Sequence, residues 1–180
     1  NCDLQKDACS RLSGRMQLLN YEHQEVRDYY FSMIRELVED YDYQGLELDW
    51  LRSPFCCESP ATPQALDIMT GWISQIRALT NRQAQKTGRP FPLGLRIPVR
   101  LAELKMIGLD VQAWAREGLI DFIAPSNLFQ TTWDVPYEKL RLLLGNNVAI
   151  YGVVEDALNW LGCRISPQLS HPHAELDTSP

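Results

Sequence analysis

Four times along this chain a short, nearly continuous apolar run alternates with an amphipathic stretch: Leu46–Trp50, Leu93–Val99, Ile120–Ala124 and Val148–Val154 are the runs. A strand that alternates polar and apolar residues, as Leu46–Trp50 does, has one wet face, whereas strands as apolar as the other three are buried on both faces. In regular succession with helices they predict a parallel sheet covered by helices. Two architectures satisfy that order, a doubly wound open sheet and a (β/α)8 barrel. No GxGxxG or GxxxxGK[ST] motif follows any of the runs, so the nucleotide-binding form of the open sheet loses its main support. The expected fold is α/β, a partial (β/α)8 TIM barrel with parallel strands alternating with helices.

The helices are legible in more detail. Val26, Tyr29, Tyr30, Met33, Ile34, Leu37, Val38 and Tyr41 recur at three- and four-residue steps, which predicts one long amphipathic helix. Glu22 and Glu25 sit where the helix dipole favours acids. Thr62-Pro63 reads as an N-cap followed by proline in the first helical position. Leu66, Met69, Trp72, Ile73, Ile76 and Leu79 continue it as one apolar face, and Gly88 with Pro90 ends it. A broken helical region spans Leu101 to Glu117, and a short helix spans Pro136 to Leu144. Met16–Leu19, ending at Asn20, reads as the end of an earlier strand.

The 180 residues suit one domain, yet about 250 are typical of a complete barrel. Residues 1–165 are therefore expected to form roughly strands 3/4 to 7, with 166–180 as a polar tail. The chain opens Asn1-Cys2-Asp3, without an initiator Met or an apolar leader, so a longer parent is expected and the compartment stays open. A net charge of −6 argues against a broad nucleic-acid or anionic-membrane surface. No apolar run approaches the roughly 18–20 residues of a membrane span. Five cysteines (Cys2, Cys9, Cys56, Cys57 and Cys163) show no CxxC spacing, so neither a disulfide framework nor a zinc ribbon is expected. No cofactor and no metal is called for.

Active groups in both architectures collect at the carboxyl ends of strands. Those ends carry Asn20, Glu47 with Asp49 and Arg52, Arg96, Ser126 with Asn127, and Glu155 with Asp156. Glu47 and Asp49 are two apart on a strand and so share a face, opposite Leu46, Leu48 and Trp50. If the leucine face meets the helices, both acids point into the barrel, where burial is costly unless they are paired or used. Arg96 is their natural partner. The chemical reading is paired-carboxylate catalysis on a sugar-like substrate. The bland reading is a buried Glu47–Arg96 ion pair, with Asp49 capping a loop. Trp72 and Trp114 lie on helical stripes and belong to the core. Trp50, Trp133 and Trp160 lie at or beyond strand ends, where rings can stack on sugars. No GxSxG, no HExxH and no Cys/His pair stands at a telling position.

Leu19-Asn20-Tyr21-Glu22-His23-Gln24-Glu25-Val26-Arg27-Asp28-Tyr29, followed by Tyr43-Gln44-Gly45-Leu46-Glu47-Leu48-Asp49-Trp50-Leu51-Arg52, resembles the bacterial family-10-like glycoside hydrolase proteins, which are built on (β/α)8 barrels. Gly108–Val111 with Trp114, Glu117–Asp121, Ala124–Ser126 and Ile150–Gly152 up to Glu155 add to the likeness, which covers roughly residues 16–165. The resemblance implies that Leu46–Trp50 is strand four and Val148–Glu155 strand seven. It implies Asp49 or Glu47 as acid/base and Glu155 as nucleophile, although this chain has Glu-Leu-Asp where the large clan usually has Asn-Glu. Asn20, Trp50, Arg52, Arg96 and Asn127 become the expected substrate contacts and a carbohydrate the expected partner. Two other classes fit the same residues: a non-catalytic glycan-binding or structural barrel segment, and a metal-dependent hydrolase with Glu47 and Asp49 as ligands.

Overall fold

The structure is a computed structural model that describes residues 19–51, 56–57, 60–99, 101–127 and 134–154. Its elements alternate as the sequence predicts: α1 (Gln24–Glu39), β1 (Leu46–Asp49), α2 (Pro63–Thr87), β2 (Leu93–Pro98), α3 (Leu101–Leu104) running into a 3-10 turn (Lys105–Ile107), α4 (Val111–Arg116), β3 (Phe122–Ser126), α5 (Tyr137–Leu144) and β4 (Ala149–Ile150). The four strands are parallel and lie in the order β1-β2-β3-β4.

That order decides between the two expected architectures. A parallel crossover is right-handed in nearly all proteins, so stepping always toward the next strand on the same side puts every helix on one face. A doubly wound sheet needs a reversal of strand order to cover its second face. Here there is none, and the described residues form a partial TIM-barrel-like α/β fold, helices outside and an open inner sheet face.

The burial of each strand follows. Leu93, Leu95 and Ile97 point outward and are fully buried among the helices, joined by Ile123 of β3. Met69, Trp72, Ile73, Ile76 and Leu79 of α2 meet them, and Trp114 of α4 completes the same core. Both tryptophans find acceptors: Trp72 Nε1 donates to the Arg27 carbonyl at 3.2 Å and Trp114 Nε1 to Thr70 Oγ1 at 2.9 Å, as most buried indoles do.

Helix ends match their sequence signals. Thr62 Oγ1 accepts the Ala65 amide at 3.1 Å, Pro63 opens α2, and Gly88 closes it at φ 68°, a left-handed position that costs glycine little. Asn20 Oδ1 accepts the Glu22 amide at 2.8 Å and so turns the chain into α1. His23 occupies the N-cap position without a side-chain bond.

Three expectations change. The strand expected to end at Asn20 is outside the described residues up to position 18, and Leu19 and Asn20 are not in a strand. Ladder pairing in the fourth strand covers only Ala149–Ile150 among the described residues, extended by the bond from Tyr151 N to Ile123 O at 2.9 Å; Val154 beyond it is 61% exposed. Of the long apolar arc on α1, only Ile34 and Val38 are buried, while Tyr29, Met33, Leu37 and Tyr41 are exposed. The buried pair shares the core with α2, and Tyr30 and Phe31 are partly buried against it.

Candidate functional site

Parallel register places side chains in rows across the inner face. Glu47 pairs with Gly94 and Gly94 with Phe122; one step toward the carboxyl ends, Asp49 pairs with Arg96 and Arg96 with Ala124. Pro98 and Ser126 share the last row. The period of two holds as expected: Leu46 and Leu48 are half-buried on the helix side, and Glu47 and Asp49 are exposed on the other.

Arg96 meets the second acid rather than the first. Its Nη1 lies 3.5 Å from Asp49 Oδ2, with the two side chains 28% and 41% exposed. The expected buried Glu47–Arg96 pair is therefore corrected on both counts, because register aligns Glu47 with Gly94, and the face is open to water. Asp49 does cap the following loop, its Oδ1 accepting the Leu51 amide at 2.9 Å. Glu47 makes no hydrogen bond or ion pair among the described residues.

Below the Asp49–Arg96 row, the Phe122 ring lies on the Gly94 backbone. A Cβ at Gly94 would stand 2.1 Å from that ring, so only glycine admits it there. Tyr151, 57% exposed, meets Phe122 edge to face with centroids 5.3 Å apart. Sequence reasoning missed this aromatic pair; the glycine inside a strand pattern was the signal that another group approaches the backbone closely.

Trp50 stands at the carboxyl end of β1 but turns to the helix side, 5% exposed, against Tyr21 at 5.4 Å and Trp72 at 6.3 Å. Its Nε1 is buried with no hydrogen-bond partner among the described residues. Burial among these rings, with Tyr30 and Cys56 adding, pushes the Tyr21 hydroxyl far above its usual pKa. Cys56 and Cys57 are buried under α2 and Gly108; burial pushes the Cys56 thiol well up and the Cys57 thiol to about 11. Asn127 follows β3 at its carboxyl end and is partly buried. Arg52, Trp133, Glu155, Asp156 and Trp160 lie outside the described residues.

The inner face thus brings Glu47, Asp49 and Arg96 together at the carboxyl half of neighbouring strands, on a floor of Phe122 and Tyr151. Asn20 and Trp50 are used elsewhere, in the entry to α1 and in the helix-side core. No group of three or more His, Cys, Asp or Glu among the described residues could hold a metal ion. No described helix is long and apolar enough to cross a membrane.

No family model and no curated protein matches the chain. Among solved structures it is similar to a glycoside hydrolase family 18 N-acetylglucosaminidase from Paenibacillus barengoltzii, at 17% identity and a TM-score of 0.48, over 72% of this chain and 45% of that one. The chain therefore spans less than half the length of that structure.

Proposed function

We propose that this chain is the catalytic-face portion of a glycoside hydrolase that cleaves O-glycosidic bonds of a poly- or oligosaccharide. The observation that carries the reading is the Asp49–Arg96 pair, set side by side on the open inner face toward the carboxyl ends of adjacent parallel strands. That is where barrel enzymes build their chemistry. In the proposal Asp49 is the acid/base, Glu47 supports it from the same face, and Glu155 is the nucleophile. Arg96 and Asn127 orient sugar hydroxyls, with Arg52 as a supporting contact. The fold-level part of the reading rests on analogy between barrels, which host many chemistries.

A second reading is favoured by Asp49 itself. One of its oxygens caps Leu51 and the other meets Arg96, as in a structural tie within a non-catalytic barrel segment. Sugar release from a glycan panel by the whole protein separates the two. Catalysis predicts that Asp49→Asn and Glu155→Gln each lower turnover at least about 10²–10⁴-fold, since the amides keep shape but cannot exchange a proton at position 49 or attack the sugar carbon at position 155. Release at the parent rate from both variants overturns the proposal.

A further inference from the structure

A polar pocket lies at the opposite end of the sheet from Asp49 and Arg96. Helix α1 ends at Glu39 ahead of β1, and α2 ends at Thr87 ahead of β2. Both helix ends therefore stand level with the amino ends of the strands. Between them is a pocket of about 540 Å³, lined by Glu39, Arg82, Gln83, Gln85 and Lys86. Pockets of roughly 300–1,000 Å³ take small ligands.

The polar groups of this pocket are left unused. None of the lining side chains makes a hydrogen bond or an ion pair among the described residues. Glu39, Arg82, Gln85 and Lys86 are exposed, and water serves them as partner. Gln83 differs, being only 9% exposed. Its side-chain amide carries donors and an acceptor, and burying them unmatched is costly. Close by, Arg89 and Asp42 do pair, so this end of α2 forms ion pairs where opposite charges come within reach.

Charge indicates what would match these groups. Arg82 and Lys86 are four apart on α2 and share a helix face. Like charges at that spacing oppose each other. The helix dipole favours a cation in the last turn, which accounts for Lys86 but not for Arg82 one turn earlier. An anionic group seated between the two relieves their repulsion, and a guanidinium grips a carboxylate with two parallel bonds. Gln83, Gln85 and Glu39 then offer oxygens that accept from hydroxyls and amide nitrogens that donate to them.

We propose that this pocket binds a small hydroxylated carboxylate, the chemistry of a sugar acid. Its carboxylate sits on Arg82 and Lys86, and its hydroxyls meet Gln83, Gln85 and Glu39. The site is separate from the Asp49–Arg96 pair and does not depend on the reaction performed there.

Calorimetric titration of the chain with glucuronate tests this, with glucose and inorganic phosphate as comparison probes. One equivalent of glucuronate should bind, at least about 10-fold more tightly than either comparison, because each lacks half of the recognised chemistry. Arg82→Gln should weaken glucuronate binding at least about 10-fold, the loss of a charge-assisted contact. Arg96→Gln, at the other end of the sheet, should leave it unchanged. Gln83→Leu should also weaken binding, yet leave the urea midpoint of the ligand-free chain equal or higher, since it removes a buried amide that has no partner. Absence of glucuronate binding overturns the proposal. So does glucose or phosphate binding as tightly, a loss through Arg96→Gln rather than Arg82→Gln, or a Gln83→Leu chain that is destabilised and still binds.

Discussion

Arg96 and Asp49 hold the same register position on adjacent strands, and the guanidinium Nη1 lies 3.5 Å from the carboxylate Oδ2. Their closeness follows from the ladder rather than from mutual attraction. Strands about 4.8 Å apart bring any two residues in register on one face within reach of each other. The backbone therefore fixes the geometry of the pair, and water moderates its energy.

That distinction can be measured. Asp49→Asn keeps an oxygen for the Leu51 amide and loses only an ion pair between partly exposed groups, so the stability change should stay below about 1 kcal/mol. Urea unfolding with a double-mutant cycle against Arg96→Gln reads it directly. A loss above about 3 kcal/mol, the range of a broken buried pair, would make Asp49 a structural tie and weaken its candidacy for chemistry.

Gly94 should tolerate no side chain while Phe122 is present. A Cβ 2.1 Å from the ring forces the aromatic off its seat, and Gly94→Ala should cost at least about 1–3 kcal/mol, the usual range for overpacking. Phe122→Leu in the same chain should recover part of that loss. Additive effects of the two substitutions in urea midpoints would show that the ring is not what excludes the methyl.

Asp121, at the opposite end of the sheet from the acids, joins two strands and a helix. Its Oδ2 accepts the Leu93 amide at 2.7 Å and Arg77 Nη1 at 2.8 Å. Asp121→Ala leaves the amide of fully buried Leu93 without that acceptor, an expected loss of about 1–3 kcal/mol. Asp121→Asn, which retains an oxygen, should fall between. Equal midpoints for alanine and parent would mean that water replaces the carboxylate.

Cys57 makes stability fall at alkaline pH. Its thiol is held up to about 11 in the folded chain against 9.0 in the open one, because burial disfavours the thiolate. The unfolded state therefore releases this proton first, so its contribution is complete below pH 9 and is lost as pH rises through about 11. Urea midpoints between pH 8 and 11, with Cys57→Ala as the reference, isolate the term. A slope unchanged in the alanine variant would assign the pH dependence to other groups.

Much of the helical skeleton was legible from neighbours in sequence. Thr62-Pro63 and Gly88 bound α2 through local hydrogen bonding and backbone preference, which need no distant residue. The shared face of Glu47 and Asp49 is equally local, since a strand reverses its side chains at every residue. The row containing Phe122 was not legible, because Gly94 announces a close approach without saying from where. The exposed half of α1 was not legible either: periodicity shows an apolar arc, and only neighbours decide which part of it is covered.

The sequence by itself determined the alternation of strands and helices, the ends of α2, and which residues of β1 are apolar and which acidic, since each depends on contacts within a few positions. Tertiary structure decided that the strands run β1-β2-β3-β4 with helices on one face, that Arg96 meets Asp49 and not Glu47, and that Trp50 belongs to the core. These depend on register and order between strands dozens of residues apart, and no local preference carries that information.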